Sequence, residues 1–158
     1  MAAEEYLARD FKFSVAVPAE TPTYVEVGGI TSWSWTEEGT DTDVTDFDDA
    51  GWENSIIASI KAGLSLDVNS LVDPDTGAPD PGQKILDSAA RTPGVRGYVL
   101  FKVEPRDPAL SGAIQGRVTV KRGEKGGGNN DKLSHSYALT FKGKPTLTGM
   151  FDPDAVSP

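Results

Sequence analysis

The sequence predicts a mainly β protein: an antiparallel β-sandwich or rolled sheet with one flanking α-helix at about 81–92 and long loops at 37–53 and 123–131. Three observations carry that prediction. Apolar residues recur at every second position in several separate runs, which is the period of a strand. Seventeen glycines and eleven prolines punctuate the chain between those runs. Only one segment, opening at Asp80, combines a helix start signal with helical spacing of its apolar residues.

The run from Ile56 to Val68 organises the rest. Its even positions are Ile56, Ala58, Ile60, Ala62, Leu64, Leu66 and Val68, and its odd positions are Ser59, Lys61, Gly63, Ser65 and Asp67, with Ile57 as the one exception. At roughly 3.3 Å per residue such a strand extends about 40 Å, well beyond the usual five or six residues. Ordering that much backbone requires neighbours on both edges and a cover on the apolar face. A strand this long suggests a sheet that continues beyond one subunit.

The other elements follow in chain order. Residues 1–10 read as an N-terminal arm, 11–144 as a single β domain and 145–158 as a polar C-terminal tail. Phe11 to Val17 alternates as a strand, and Tyr24 to Val27 is a short extended piece stopped by Gly28-Gly29. Ile30 to Thr36 is rich in β-branched and aromatic residues, with Trp33 and Trp35 on the face of Thr31. Asp80-Pro81-Gly82-Gln83 supplies an N-cap, a proline at the first helical position and a glutamine three residues after the cap. Ile85, Leu86, Ala89 and Ala90 form a narrow apolar stripe, and Pro93-Gly94 ends the helix. Tyr98 to Val103 and Ile114 to Arg122 are strands. The latter forms a hairpin with Leu133 to Lys142 about the glycine-rich tip at 123–131.

Composition narrows the function classes. At 158 residues the chain has one domain's length, with 37% hydrophobic and 25% charged residues and no cysteine. Disulfide scaffolds and cysteine zinc sites are therefore excluded. No apolar run approaches the roughly 20 residues of a membrane span. Met1 to Asp10 has no apolar core, so a signal peptide is not expected. A net charge of −9 argues against gripping nucleic acid, which needs clustered Lys and Arg. Catalytic groups are scarce. The one histidine, His135, sits on an apolar strand face, and Gly126 to Gly128 lacks the strand-to-helix setting of a phosphate loop. No enzyme activity, cofactor or metal site is expected.

Charge pattern is the informative feature. Between Glu37 and Glu53 lie eight acids and no base: Glu37, Glu38, Asp41, Asp43, Asp46, Asp48, Asp49 and Glu53, with Phe47 and Trp52 among the few bulky apolar residues. Loops of this length are often functional. Against it stands a basic hairpin carrying Arg117, Lys121, Arg122, Lys125 and Lys132. Complementary patches on different parts of one surface make head-to-tail contacts, which generate rings and stacks. One loop could also fold onto the other within a subunit.

The chain resembles the major tail tube proteins of long-tailed, non-contractile bacteriophages. The resemblance is carried by Val27-Gly28-Gly29-Ile30-Thr31-Ser32-Trp33, Asp43-Val44-Thr45-Asp46-Phe47 and Gly51-Trp52-Glu53 ahead of the long strand. The helix start at Asp80 and the closing Tyr137-Ala138-Leu139-Thr140-Phe141-Lys142-Gly143 add to it. It implies a virion structural protein, made in the host bacterial cytoplasm, that forms hexameric rings stacked into a tail tube. It also implies other tail proteins at the tube ends, and a stacking role for the loop at 37–53. DNA would pass through the tube without specific binding, no membrane is involved, and neither catalysis nor a cofactor is needed. The net acidic charge favours passage by repulsion, so an acidic-lined conduit is expected, its lumen-facing side chains mostly Ser, Thr, Asn, Asp and Glu, with Ser59, Ser65, Asp67 and Asn69 as candidates. Two alternatives stay open. One is a β-sandwich module binding carbohydrate, through Trp33, Trp35 and Trp52, or calcium, through Asp46, Asp48 and Asp49 or the Asp73-x-Asp75-x-Gly77 run. The other is the inner-tube protein of a contractile tail or secretion system.

Overall fold

The computed structural model describes residues 7–46, 50–107, 109–130 and 132–152. Among these residues eight strands form one antiparallel sheet: β1 Phe11–Ala16, β2 Val25–Glu26, β3 Ile30–Asp43, β4 Ser55–Asn69, β5 Val99–Pro105, β6 Gly112–Gly126, β7 Ser134–Phe141 and β8 Thr146–Gly149. Their order is β2-β1-β5-β6-β7-β4-β3, and β8 pairs with β6 beyond the end of β7. One helix, α1 Pro81–Ala90, flanks the sheet, and a 3-10 turn at Ala8–Asp10 precedes β1.

The sheet is rolled and remains open. β3 and β1 lie at opposite ends of the strand order, yet the Trp33 ring stands edge-on to Phe11 at 5.5 Å and to Phe13 at 5.4 Å. Among the described residues no backbone ladder joins the two strands, and β3 pairs with β4 alone. Inside the roll, alternate residues of each strand meet in one core. Val15, Leu66, Val68, Phe101, Val103 and Val118 are fully buried there, with Leu86 of α1. Removing apolar area from water at about 25 cal/mol per Å² is the term that holds these layers together.

The helix seats as its start signal predicts. Asp80 Oδ2 accepts from the Gln83 backbone N–H at 3.2 Å and from that of Gly28 at 3.2 Å, so one carboxylate caps α1 and ties it to the turn before β3. The Gln83 side chain donates to the carbonyls of Gly28 at 2.8 Å and Asn69 at 2.9 Å. The close approach is possible because position 82 is glycine: a Cβ there would lie 2.7 Å from the Glu26 carbonyl oxygen and the Val27 Cα. Gly29 has φ +80°, and a Cβ on it would lie 2.5 Å from the Asn69 carbonyl oxygen.

Three boundaries differ from the sequence reading. The loop expected at 37–53 is shorter, because β3 continues to Asp43 and β4 begins at Ser55. Glu37, Glu38, Asp41 and Asp43 therefore lie on a strand. Acidic residues are poor strand formers, but here the backbone of Ser55–Ala62 offers them a partner and their side chains remain in water. The tip expected at 123–131 is also displaced, since β6 runs to Gly126 across a register shift between Arg122 and Lys125. Finally, Thr146–Gly149 forms the edge strand β8. Its four residues carry one large apolar side chain, Leu147, too little for a periodic signal.

Candidate assembly surfaces

The long strand divides into two halves with different surroundings. From Gly63 to Asn69, β4 lies between β3 and β7, and its Leu64, Leu66 and Val68 enter the core. From Ser55 to Ala62 it pairs with β3 alone, giving a two-stranded arm roughly 25 Å long. On that arm Ile60 is 70% exposed, Ile57 62% and Ile56 56%, and Trp52 in the connecting turn is 81% exposed.

A bulge explains Ile57. Between Thr40 and Asp41 of β3 the partner on β4 jumps from Ser59 to Ile57. Ile57 thereby shifts onto the face of Ile60, the same face that carries Leu64 and Leu66 further along. The contact confirms it: a Cβ on Gly39, which pairs with Ile60, would lie 3.1 Å from the Ile57 Cγ2. Beyond the bulge Ile56 pairs with Thr42 on the opposite face. The core face of the sheet thus runs on along the arm as an apolar stripe with no cover among the described residues.

The arm tip is fixed locally. Thr45 donates its backbone N–H to Asp43 Oδ1 at 2.8 Å, Asn54 donates its N–H to Thr45 Oγ1 at 2.7 Å, and Val44 donates to the Asn54 carbonyl at 2.9 Å. Hydrogen bonds from the Thr45 side chain and backbone hold the Asp43 carboxyl below the usual carboxylate range. Ala50 and Gly51 turn the chain with φ +49° and +89°. Of the expected acidic set, Glu37, Glu38, Asp41, Asp43, Asp46 and Glu53 are exposed on the arm or its tip with Trp52. Phe47, Asp48 and Asp49 lie outside the described residues.

The expected basic hairpin is not one patch. Arg122 Nε lies 3.6 Å from Asp87 Oδ1 on α1. Arg117 turns the other way, its guanidinium 5.4 Å from the centre of the Tyr98 ring, which Lys142 Nζ also meets at 5.0 Å. Lys121, Lys125 and Lys132 are exposed and make no ion pair among the described residues.

The polar face of the sheet holds the candidate lumen residues. Ser65 pairs with Ser34 on β3 and with Ala138 on β7, and the Ser32 hydroxyl donates to Asp67 Oδ2 at 2.7 Å. Ser59 lies on the arm opposite Thr40, and Asn69 closes β4, its carbonyl accepting from Gln83. This face is mixed in charge: beside its serines, threonines and Asp67 it carries Lys61 opposite Glu38, Lys121 opposite Ala138, and Arg117 further along β6.

His135 is satisfied in the interior, where sequence placed it on an apolar strand face. Its Nδ1 lies 2.9 Å from Ser70 Oγ and its Nε2 2.7 Å from the Tyr137 hydroxyl, which donates to Asp87 Oδ1 at 2.7 Å. Burial pushes the imidazole pKa down, against the Asp87 carboxylate that raises it, and Lys125 and Arg122 lower it further. Burial and Asp87 hold the tyrosine firmly as the phenol. No group of three or more metal-binding side chains converges among the described residues. Trp33 and Trp35 face inward, Trp35 5.4 Å from Phe141, so with Trp52 far out on the arm they make no common stacking platform.

No protein-family model matches the chain, and no curated protein matches it in sequence. Solved structures do. A chain in the tail of an empty gene transfer agent particle, solved with C6 symmetry, superposes with a TM-score of 0.65 at 17% identity, over 92% of this chain and 100% of that one. The SPP1 tail tube protein gives 0.68 at 15%, over 94% and 81%. A chain of the anti-feeding prophage baseplate gives 0.61 at 10%, over 94% and 98%. At such identities the likeness establishes the fold: this chain has the fold of tail tube proteins.

Proposed function

We propose that this chain is a structural protein that assembles as hexameric rings stacked into the tail tube of a phage-like particle. It would have no enzymatic role and no cofactor, and other tail proteins would close the tube ends. The observation that carries the reading is the two-stranded arm, which continues the core face of the sheet out of the subunit with Ile57, Ile60 and Trp52 uncovered. An isolated two-stranded ribbon is marginal in water, and exposed apolar surface of this kind marks a contact with another chain. In a subunit with the tail tube fold, the partner is a further copy. The non-contractile type is favoured because the SPP1 tube protein and the gene transfer agent tail superpose more closely than the contractile-injection chains do.

The lumen follows from charge. A tube that passes DNA must not hold it, and a basic wall would do so by releasing counterions from the phosphates. A net charge of −9 works against holding the duplex, and the candidate lumen residues Ser59, Ser65, Asp67 and Asn69 include no base, while Lys61 on the same face stands opposite Glu38. Sedimentation velocity tests the assembly. Wild-type protein should pass from single copies to ring-sized and larger species as concentration rises, and the Ile57→Asp/Ile60→Asp variant should stay monomeric. Indistinguishable behaviour of the two proteins would remove the arm from the account.

A further inference from the structure

The surface that receives the arm can be assigned, given the tube reading. A groove of about 510 Å³ lies between α1 and the segments that follow β1 and open β5, with Val17, Ile85, Ala89 and Tyr98 as its apolar lining and Lys84, Ser88 and Arg96 beside them. No acid lines it. Neither base makes an ion pair among the described residues. Its Tyr98 also carries Arg117 and Lys142 against the ring, so positive charge continues past the groove mouth. The competing clefts carry acids of their own. The one beside Lys12 and Lys102 contains Glu104, which already pairs with both at 3.2 and 3.4 Å, and the one beneath the β6–β7 tip contains Asp67 and Glu124.

The arm has the complementary character. Its apolar stripe is Ile57 and Ile60, and across the ribbon lie Glu37 and Asp41, exposed and without an ion pair among the described residues. We propose that the arm of one copy docks in the α1 groove of the next. Ile57 and Ile60 enter between Val17, Ile85 and Tyr98, and Glu37 and Asp41 face Lys84 and Arg96. Apolar fit supplies the affinity, and the charges fix the register and reject the acidic faces of the same protein. The contact is head-to-tail, using different surfaces on the two copies, and so propagates. It also distinguishes between the basic surfaces: the groove, rather than Lys125 and its neighbours at the β6–β7 tip, is the receiver.

The absence of cysteine makes the test direct. Ser88 is exposed and lines the groove, so Ile60→Cys/Ser88→Cys protein, oxidised after concentration, should give a ladder of disulfide-linked multimers on a non-reducing gel. Ile60→Cys/Lys125→Cys protein should give none beyond the dimers of the Ile60→Cys single variant. In parallel, Lys84→Glu/Arg96→Glu should raise the critical concentration for assembly by roughly tenfold or more. Adding Glu37→Lys/Asp41→Lys to the same chain should restore it, which a merely misfolded variant would not show. Tubes on the grid with no ladder from the groove pair, or a ladder from the Lys125 pair, would overturn the docking and leave the tube standing. A closed monomeric disulfide would overturn it too, since the arm would then lie on its own subunit. Wild-type protein that forms no rings or tubes at any concentration would end the tube reading, and the docking with it.

Discussion

At the scale of single residues, the chain of hydrogen bonds from Ser70 through His135 and Tyr137 to Asp87 joins the sheet to the helix. Because the Tyr137 hydroxyl donates to Asp87, the His135 Nε2 carries its proton and donates to the phenol oxygen, while Nδ1 accepts from Ser70. Tyr137→Phe removes the shared hydroxyl and strands a buried N–H, which should cost about 1–3 kcal/mol in urea unfolding. The imidazole also makes stability depend on pH. Its folded pKa is depressed by burial, so the unfolded chain binds the proton more readily. The stabilisation is present above the unfolded value, about 6.5, and is lost as pH falls through the lower folded value. Unfolding at pH 7.5 and pH 5 should therefore show the gap between wild type and His135→Gln narrowing in acid; a gap that widens would contradict the assignment. Some of this was legible in sequence. Asp80-Pro81-x-Gln83 announced the cap, because a cap is a local device. The bridge from Gln83 to the carbonyls of Gly28 and Asn69 was not, because its partners lie 55 and 14 residues away.

At the scale of elements, alternation located the strands well wherever one face is buried. It failed at the arm because burial, the source of the signal, is absent there: both faces of Glu37–Asp43 meet water, and acids replace the apolar positions. The oddity was nevertheless visible as Ile57, the one apolar residue out of phase, which the β-bulge accounts for. The β6–β7 tip shows the same effect, with a bulge and glycines concealing paired backbone. Since Ile57 and Ile60 contribute little to the core, the Ile57→Asp/Ile60→Asp variant should melt within about 0.5 kcal/mol of wild type while losing assembly. A cooperative loss of the whole fold would show instead that the arm stabilises the subunit body. The basic residues were misgrouped for a related reason. Arg117 and Arg122 share β6 but lie an odd five residues apart, so they take opposite faces, and one reaches Tyr98 and the other Asp87.

At the scale of the molecule, an open rolled sheet leaves two things unfinished among the described residues: a free edge at β3 and an arm whose apolar side chains have no cover. Both are liabilities in a monomer and assets in a ring. The one-sided polar face, the acidic net charge and the tail tube fold agree with a conduit whose wall is shared among copies. Negative-stain electron microscopy of the purified, concentrated protein at two salt levels tests this most directly. Hollow tubes or rings of uniform diameter with six-fold end-on averages are the expected result. Only dispersed particles at every concentration and salt level would contradict it.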